Sequence, residues 1–378
     1  MQVHELALQR NKYKHLSDDE WRWFLQQVEG RERTADKLPA FAAIEDWWYP
    51  VRLSCEQCSS ELTARYKASL VTDSPGQMVD LTGGYGVDTY FLSEHFAHAD
   101  YVEQNAELCR IAEHNFSIPG AKAVSVHHAS AEDFLENAGL YDFIFADPAR
   151  RDSHGGKVFR LEDCTPNIVE LLPTLLRHLT PEGRVLLKLS PMLDLTQALT
   201  ALSPIVWDMH VVAVKNEVKE VLLLSHGSRT ITAIDLAEPE KAFVFTREEE
   251  NEAHPDISTG DREKTGAYIY EPDAAILKAG AYKLVAARFG VQKLDVNTHL
   301  YTSDKFIEHF PGRVWQITGD QKPVPNSQAN IICRNYPLTP EQLKKKYRLR
   351  DGGNNYLIGC RVAGKPTLFN AERINILT

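Results

Sequence analysis

From residue 77 onward, short apolar runs alternate with amphipathic stretches: MVDL (78–81), DYVE (100–103), AVSV (123–126), YDFIFA (141–146) and RVLLKL (184–189). The segments 88–96, 106–116 and 165–179 between them are long enough for crossover helices, so the alternation predicts a mostly parallel sheet covered on both faces. Two further runs, IVWDMHVVAV (205–214) and VKEVLLL (218–224), are separated only by Lys215-Asn216-Glu217. So short a link forces an antiparallel hairpin. The expected fold class is therefore α/β, a Rossmann-like sheet ending in an antiparallel hairpin.

Residues 1–70 carry a helical pattern instead. Ser17-Asp18-Asp19-Glu20 is a capping-type start, followed at helical spacing by Trp21, Phe24, Leu25 and Val28. Thr34-Ala35-Asp36-Lys37 opens a short piece that Pro39 breaks, and CEQCSSELTARYKASLV (55–71) continues as helix. After His226, ITAIDL and AFVFT are expected to be strands and 247–264 a polar loop. Pro272 then opens an apolar helix over 273–289, and KLDVNTHLYTSD (293–304) returns as a strand. The C-terminal stretch alternates strand-like runs (RVWQIT, NIICRNY, NYLIGCRV) with one helix that starts at Thr339-Pro340-Glu341 and stops before Asp351-Gly352-Gly353.

Composition narrows the class. A chain of 378 residues with 43% hydrophobic and 25% charged residues has the balance of a globular protein of two or more domains. No run of eighteen apolar residues occurs, the first twenty residues are charged in every turn, and six scattered cysteines make no disulfide framework. A cytoplasmic, reduced protein with no membrane contact is expected. The net charge of −10 is unevenly spread: residues 1–310 carry −17 and residues 311–378 carry +7. An acidic body with a basic tail points to a polyanion contact at one end.

The chemistry concentrates at three strand ends. Met78-Val79-Asp80-Leu81-Thr82-Gly83-Gly84-Tyr85-Gly86-Val87-Asp88 runs from strand through three glycines into a helix, a turn over which a ligand can approach the backbone. The dinucleotide spacing G-x-G-x-x-G is not met, Asp88 at the helix start would repel pyrophosphate, and no Gly-Lys-Ser/Thr follows. Asp80 within the strand favours a cationic ligand such as S-adenosylmethionine, which has no phosphate. Glu103, about twenty residues on, stands where an acid accepts ribose hydroxyls. The fourth run ends in Asp147-Pro148-Ala149-Arg150-Arg151, where Asp147 and a carbonyl stiffened by Pro148 can orient a substrate amine and the two arginines can hold a phosphate. Cys55 and Cys58 lack a second ligand pair and are read as core-facing thiols, and Trp47-Trp48-Tyr49 as core between the helical region and the sheet.

Residues 71–226 resemble a class I S-adenosylmethionine-dependent methyltransferase domain. The stretch AYIYEPDAAILKAGAYKLVAARFGVQKLDVNTHLYTSD resembles the ferredoxin-like module of a bacterial methyltransferase family, and NYPLTPEQLKKKYRLRDGGNNYLIGCRV its C-terminal THUMP-like domain. The resemblance implies four parts: a helical region (1–70), a methyltransferase domain with linker (71–264), a ferredoxin-like module (265–308) and a THUMP-like RNA-binding domain (309–378). It implies methyl transfer to structured RNA, tRNA or rRNA, with S-adenosylmethionine as cofactor and no metal. Asp80, Thr82, Gly83, Gly84, Gly86, Glu103 and Asp133 are expected to hold the cofactor, Asp147 and Pro148 to orient the acceptor, and Arg150, Arg151, Lys344, Lys345, Lys346 and Arg348 to contact RNA. Two departures stand out. In the family's third-strand stretch an acid meets the adenine amine, whereas His128-Ala129-Ser130-Ala131-Glu132-Asp133-Phe134 has serine at that place, with Asp133 as a possible substitute. Asp147-Pro148-Ala149-Arg150 is similar to the motif of uracil-5 RNA methyltransferases, but Lys188-Leu189-Ser190-Pro191 follows the next strand where those enzymes need a nucleophilic cysteine, so nitrogen is favoured over carbon as the acceptor. A nucleotide-dependent oxidoreductase and an RNA-binding protein with a silent catalytic domain are the rival readings.

Overall fold

Strands β1 (Gln77–Asp80), β2 (His98–Glu103), β3 (Val124–His128) and β4 (Tyr141–Ala146) form where the apolar runs predict them. The chain is described from a computed structural model covering residues 3–74, 76–118, 123–150, 160–258, 266–319 and 323–374. Two compact units make it up: Met1–Trp207 with Leu222–Gly227, and Asp208–Val221 with Ser228–Thr378.

In the first unit a short ladder, β5 (Ala149–Arg150) against β6 (Cys164–Thr165), precedes the long strand β7 (Leu179–Leu189). The parallel order β3-β2-β1-β4-β7 puts the carboxyl ends of β1, β2 and β4 side by side, with Asp80 in register with Tyr101 and Phe145. Ligands of open α/β sheets bind at that edge. Helices Val87–Ser93, Ala106–Ser117 and Ile168–Arg177 make the crossovers.

The N-terminal helices pack on the helix Val87–Ser93 through an aromatic core of Phe41, Trp47, Tyr49, Tyr85 and Phe91. Phe41 stacks on Trp47 at 4.1 Å, and Trp47 Nε1 donates to Tyr85 Oη at 2.9 Å. Ser17 and Glu20 form the expected capping box of the helix Asp18–Thr34. Pro39 does not break a helix; it starts one, Pro39–Ala42, because the first turn needs no amide from it. The run from Cys55 is also divided, into Arg52–Gln57 and Glu61–Ser69, because the Ser60 hydroxyl accepts from Thr63 N and caps a new start.

The second unit contains β8 (Trp207–Val214, from its second residue) and the first half of β9 (Glu217–Ser225), joined by Lys215 and Asn216 with φ of 52° and 63°. Two left-handed residues are what a tight hairpin with the native strand twist demands. Strand β10 (Thr230–Asp235) runs parallel to β8, and β11 (Phe243–Thr246) antiparallel to β10. The expected polar loop after β11 begins instead as a helix, Arg247–Glu252, because Thr246 and Glu249 close a capping box.

A seven-stranded sheet follows, with β12 (Tyr268–Pro272), β13 (Gln292–Asp295), β14 (Thr298–Ser303), β15 (Gly312–Gly319), β16 (Asn330–Arg334), β17 (Asn355–Val362) and β18 (Lys365–Arg373) in the order β13-β14-β12-β15-β18-β17-β16. Ala363 N donates to Leu294 O at 3.0 Å and Gly364 N to Asp295 at 2.6 Å, so the sheet curls around Trp315, Ile358 and Phe369. The single helix expected over 273–289 is two, Ala274–Ala279 and Leu284–Phe289, because Gly280 takes φ 81° and terminates the first. The single strand expected over 293–304 is likewise the hairpin β13–β14.

Candidate active site

The ends of β1, β2, β4 and β7 surround a cleft of about 340 Å³ in the first unit. Its lining includes Asp80, Thr82, Gly83, Gly84, Gly86, Glu103 and Asp147, which the sequence nominates. It also includes Ser59, Asp88 and Lys188, which the sequence does not.

The glycine turn divides its labour. Gly83 is glycine because a Cβ there would stand 2.2 Å from the Tyr101 ring. Gly84 has φ 55° and only the Thr82 carbonyl within 4 Å of a virtual Cβ, so the backbone is open to a ligand there. Gly86, at φ 82°, caps the following helix. Four of the turn's amides are already used: Thr82 N donates to Asp80 Oδ1 at 2.9 Å, Gly83 N to Val102 O at 2.9 Å, Gly84 N to Glu103 Oε2 at 2.9 Å and Gly86 N to Gly83 O at 2.8 Å. A pyrophosphate would need these N–H groups, whereas a nucleoside without phosphate does not. The second oxygen of Glu103 accepts from Asn105 N at 2.8 Å, which holds the carboxylate at the rim with lone pairs left for hydroxyl donors.

Asp80 is only 1% exposed. Thr89 Oγ1 donates to its Oδ2 at 2.6 Å, and burial still pushes its carboxyl up to about 7. Thr82 Oγ1 lies 3.3 Å from Asp80 Oδ1 and accepts from Asp147 N at 2.7 Å, linking β1 to the turn after β4. Asp147 Oδ2 meets Lys188 Nζ at 2.5 Å. Pro148 is buried behind it.

Asp88 is not the bare anion that its position suggested. Its Oδ1 stands 3.2 Å from Lys67 Nζ as an ion pair without a directed hydrogen bond, and its Oδ2 accepts from Ser59 Oγ at 2.7 Å and lies 3.7 Å from Lys188 Nζ. Burial opposes the charge, but Lys67, Lys188 and the Ser59 hydroxyl outweigh it and hold the carboxyl below its ordinary range. Repulsion of pyrophosphate by Asp88 is therefore muted, and the occupied turn amides are the stronger argument against a dinucleotide.

Of the other nominated residues in the first unit, Asp133 is not among those that line the cleft. Asp133 is exposed on the first turn of the helix Ala131–Leu135, where Ser130 Oγ accepts its amide at 2.9 Å, so serine at this place serves as a helix cap. Arg151 lies outside the described residues, and Arg150 is described only as backbone of β5. In the second unit Lys345, Lys346 and Arg348 are exposed on and after the helix Pro340–Tyr347, while Lys344 is half-buried and paired with Asp351. Cys55 is buried with its thiol pushed up to about 12, while Cys58 caps its helix and lines the cleft. Among the described residues no group of His, Cys, Asp and Glu could hold a metal, and no helix is long and apolar enough to cross a membrane.

Comparison with known proteins bears on the family and the fold. A ferredoxin-like domain family matches residues 268–311 and a THUMP domain-like family residues 320–373. An uncharacterized S-adenosylmethionine-dependent methyltransferase of Mycobacterium tuberculosis H37Rv is 24% identical over 342 residues, 87% of this chain and 89% of the relative. The crystal structure of a candidate methyltransferase from Porphyromonas gingivalis W83 is 33% identical, covers 95% of this chain and 92% of its own, and superposes with a TM-score of 0.82. With the cleft, the sheet order and both C-terminal domains in place, the chain belongs to the class I S-adenosylmethionine-dependent methyltransferases that carry ferredoxin-like and THUMP-like domains.

Proposed function

We propose that this enzyme methylates a base nitrogen in structured RNA, tRNA or rRNA. The observation that carries the catalytic half of the reading is the Asp147 carboxylate at the cleft, aimed by its backbone bond to Thr82 and its ion pair with Lys188. S-adenosylmethionine supplies an electrophilic methyl group, so the protein's task is positioning. Asp80 holds the amino-acid end, the Gly83–Gly86 turn passes beneath the sugar, and Glu103 accepts hydrogen bonds from the ribose hydroxyls. Asp147, with the carbonyl fixed by Pro148, accepts hydrogen bonds from the acceptor N–H and directs its lone pair at the methyl group. Arg150 and Arg151 are assigned to a phosphate of the substrate.

The RNA half rests on the THUMP domain-like match and on the charge of +7 in residues 311–378, where Lys344, Lys345, Lys346 and Arg348 cluster. Phosphate contacts from such a cluster position an RNA without reading its sequence. Asp133 is assigned to the adenine amine on the resemblance alone, since it is exposed and does not line the cleft.

Two measurements test the reading. Calorimetric titration is expected to show binding of S-adenosylmethionine and none of NAD. Mass spectrometry of nucleosides from a strain lacking the gene is expected to miss one N-methylated base that the purified enzyme restores to that strain's RNA. Restoration of a C-methylated base, or of none, refutes the acceptor assignment.

A further inference from the structure

The Ser59 hydroxyl uses its whole hydrogen-bonding capacity: it donates to Asp88 Oδ2 at 2.7 Å and accepts from Lys67 Nζ at 3.3 Å and Lys188 Nζ at 3.2 Å. Lys67 is completely buried, Ser59 and Asp88 are buried, and Lys188 is nearly so. Two lysines and two aspartates balance in charge, which is what lets such a cluster exist inside a protein. Ser59, Asp88 and Lys188 line the cleft from buried or nearly buried positions, and one member differs from them in exposure: the Asp147 side chain is 39% exposed. The network therefore reaches furthest into the cleft at Asp147, the carboxylate assigned to the acceptor.

We infer that Lys188 is a positioning residue for methyl transfer, holding Asp147 toward the acceptor while Ser59, Asp88 and Lys67 hold Lys188. An aspartate on a turn has two side-chain torsions to lose, and an ammonium anchored on its far side removes both. Reactions governed by alignment need that order: a misplacement of about 1 Å costs about 100-fold in rate. Because Ser59 lies in the link between two N-terminal helices and Lys67 on the second of them, that region takes part in positioning Asp147. The inference rests on the assignment of Asp147 above, and its test separates the two.

Full-length Lys188→Met, Lys188→Arg and Ser59→Ala proteins are compared with wild type by titration with S-adenosylmethionine, by crystal structures with S-adenosylhomocysteine, and by labelled methyl transfer to total RNA from a strain lacking the gene. Lys188→Met is expected to shift the Asp147 carboxylate by about 1 Å or more and to lower kcat about 100-fold, with cofactor Kd and the KM for RNA within about threefold of wild type. Lys188→Arg, which keeps the cation, is expected to recover at least about tenfold of that loss, and Ser59→Ala to lose about tenfold. An unmoved Asp147, an unchanged kcat, an arginine variant no better than methionine, or a cofactor Kd that weakens in step with kcat overturns the inference. Should Lys188→Met not fold, the other two variants decide by the same criteria. If wild type methylates no RNA, the substrate proposal falls, and the position of Asp147 alone decides the role of Lys188.

Discussion

At Gly83 an added Cβ would collide with the buried ring of Tyr101, while at the adjacent Gly84 it would meet open space but a φ of 55°. The two alanine variants are therefore expected to fail differently. Gly83→Ala overpacks the sheet edge and costs about 1–3 kcal/mol in urea denaturation. Gly84→Ala costs about 1–2 kcal/mol of backbone strain but also covers the cradle, and weakens S-adenosylmethionine binding about tenfold or more by calorimetry. Asp80 carries a pH signature. Below about pH 4 it is protonated whether the chain is folded or not. Between its ordinary value of 3.8 and about 7 the unfolded chain ionises it and the fold does not, so stability falls as pH rises and the loss is complete above 7. Asp80→Asn removes that loss, so its stability relative to wild type should rise by up to about 4 kcal/mol between pH 4 and 8 in denaturant titrations. A cationic ligand draws the proton off Asp80, so cofactor affinity of the wild type is expected to be about tenfold weaker at pH 6 than at pH 8, and that of Asp80→Asn flat. A wild-type affinity independent of pH removes Asp80 from the cofactor site.

Among elements, the N-terminal helices are joined to the catalytic sheet by a polar seam inside an aromatic core. Tyr85 Oη accepts from Trp47 Nε1 at 2.9 Å and donates to Trp48 O at 3.2 Å. Tyr85→Phe leaves the buried Trp47 Nε1 without its acceptor, while Trp48 O keeps the bond from Asn115 Nδ2 at 3.0 Å, and the change is expected to cost about 1–3 kcal/mol by thermal or urea unfolding, with little change in volume. The positions of β1, β2, β4 and β7 are legible in the chain because each buries an apolar run. Helix limits are less legible. Thr246, Ser60 and Gly280 each start or stop a helix, and their signal is one residue set among many serines, threonines and glycines that do nothing of the kind. The C-terminal sheet shows another limit. Strand β15 lies between the two family matches and pairs antiparallel with β12 on one side, Ile269 opposite Trp315, and with β18 on the other, so the segments matched by two domain families share one sheet. Sequence similarity locates each segment but says nothing of the hydrogen bonds between them.

For the whole molecule, charge is the property with a functional consequence. Residues 1–310 carry −17 and repel a polyanion, while residues 311–378 carry +7. Reversing Lys344, Lys345 and Lys346 to glutamate is expected to weaken RNA binding and to flatten the slope of log affinity against log salt by up to about three units, about one for each phosphate that no longer meets a lysine. Lys344 already pairs with Asp351, so its share should be the smallest. Cofactor titration of the same variant should match wild type. Unchanged RNA affinity removes this cluster from the substrate surface.

The α/β class, the terminal hairpin, the glycine turn, Asp80, Glu103 and Asp147 are all readable from the linear chain, because periodicity, tight turns and strand ends depend on neighbours a few residues apart. The polar cluster behind Asp147 is not readable in that way. Ser59 and Lys188 are 129 residues apart, and no local pattern marks either one. They meet because the parallel strand order carries β7 beside β4 and the N-terminal helices fold back over the helix after β1. The same convergence turned Asp88 from an apparent repulsive anion into a neutralised one, since the field at a buried carboxylate is set by whichever cations the fold brings within a few ångströms of it.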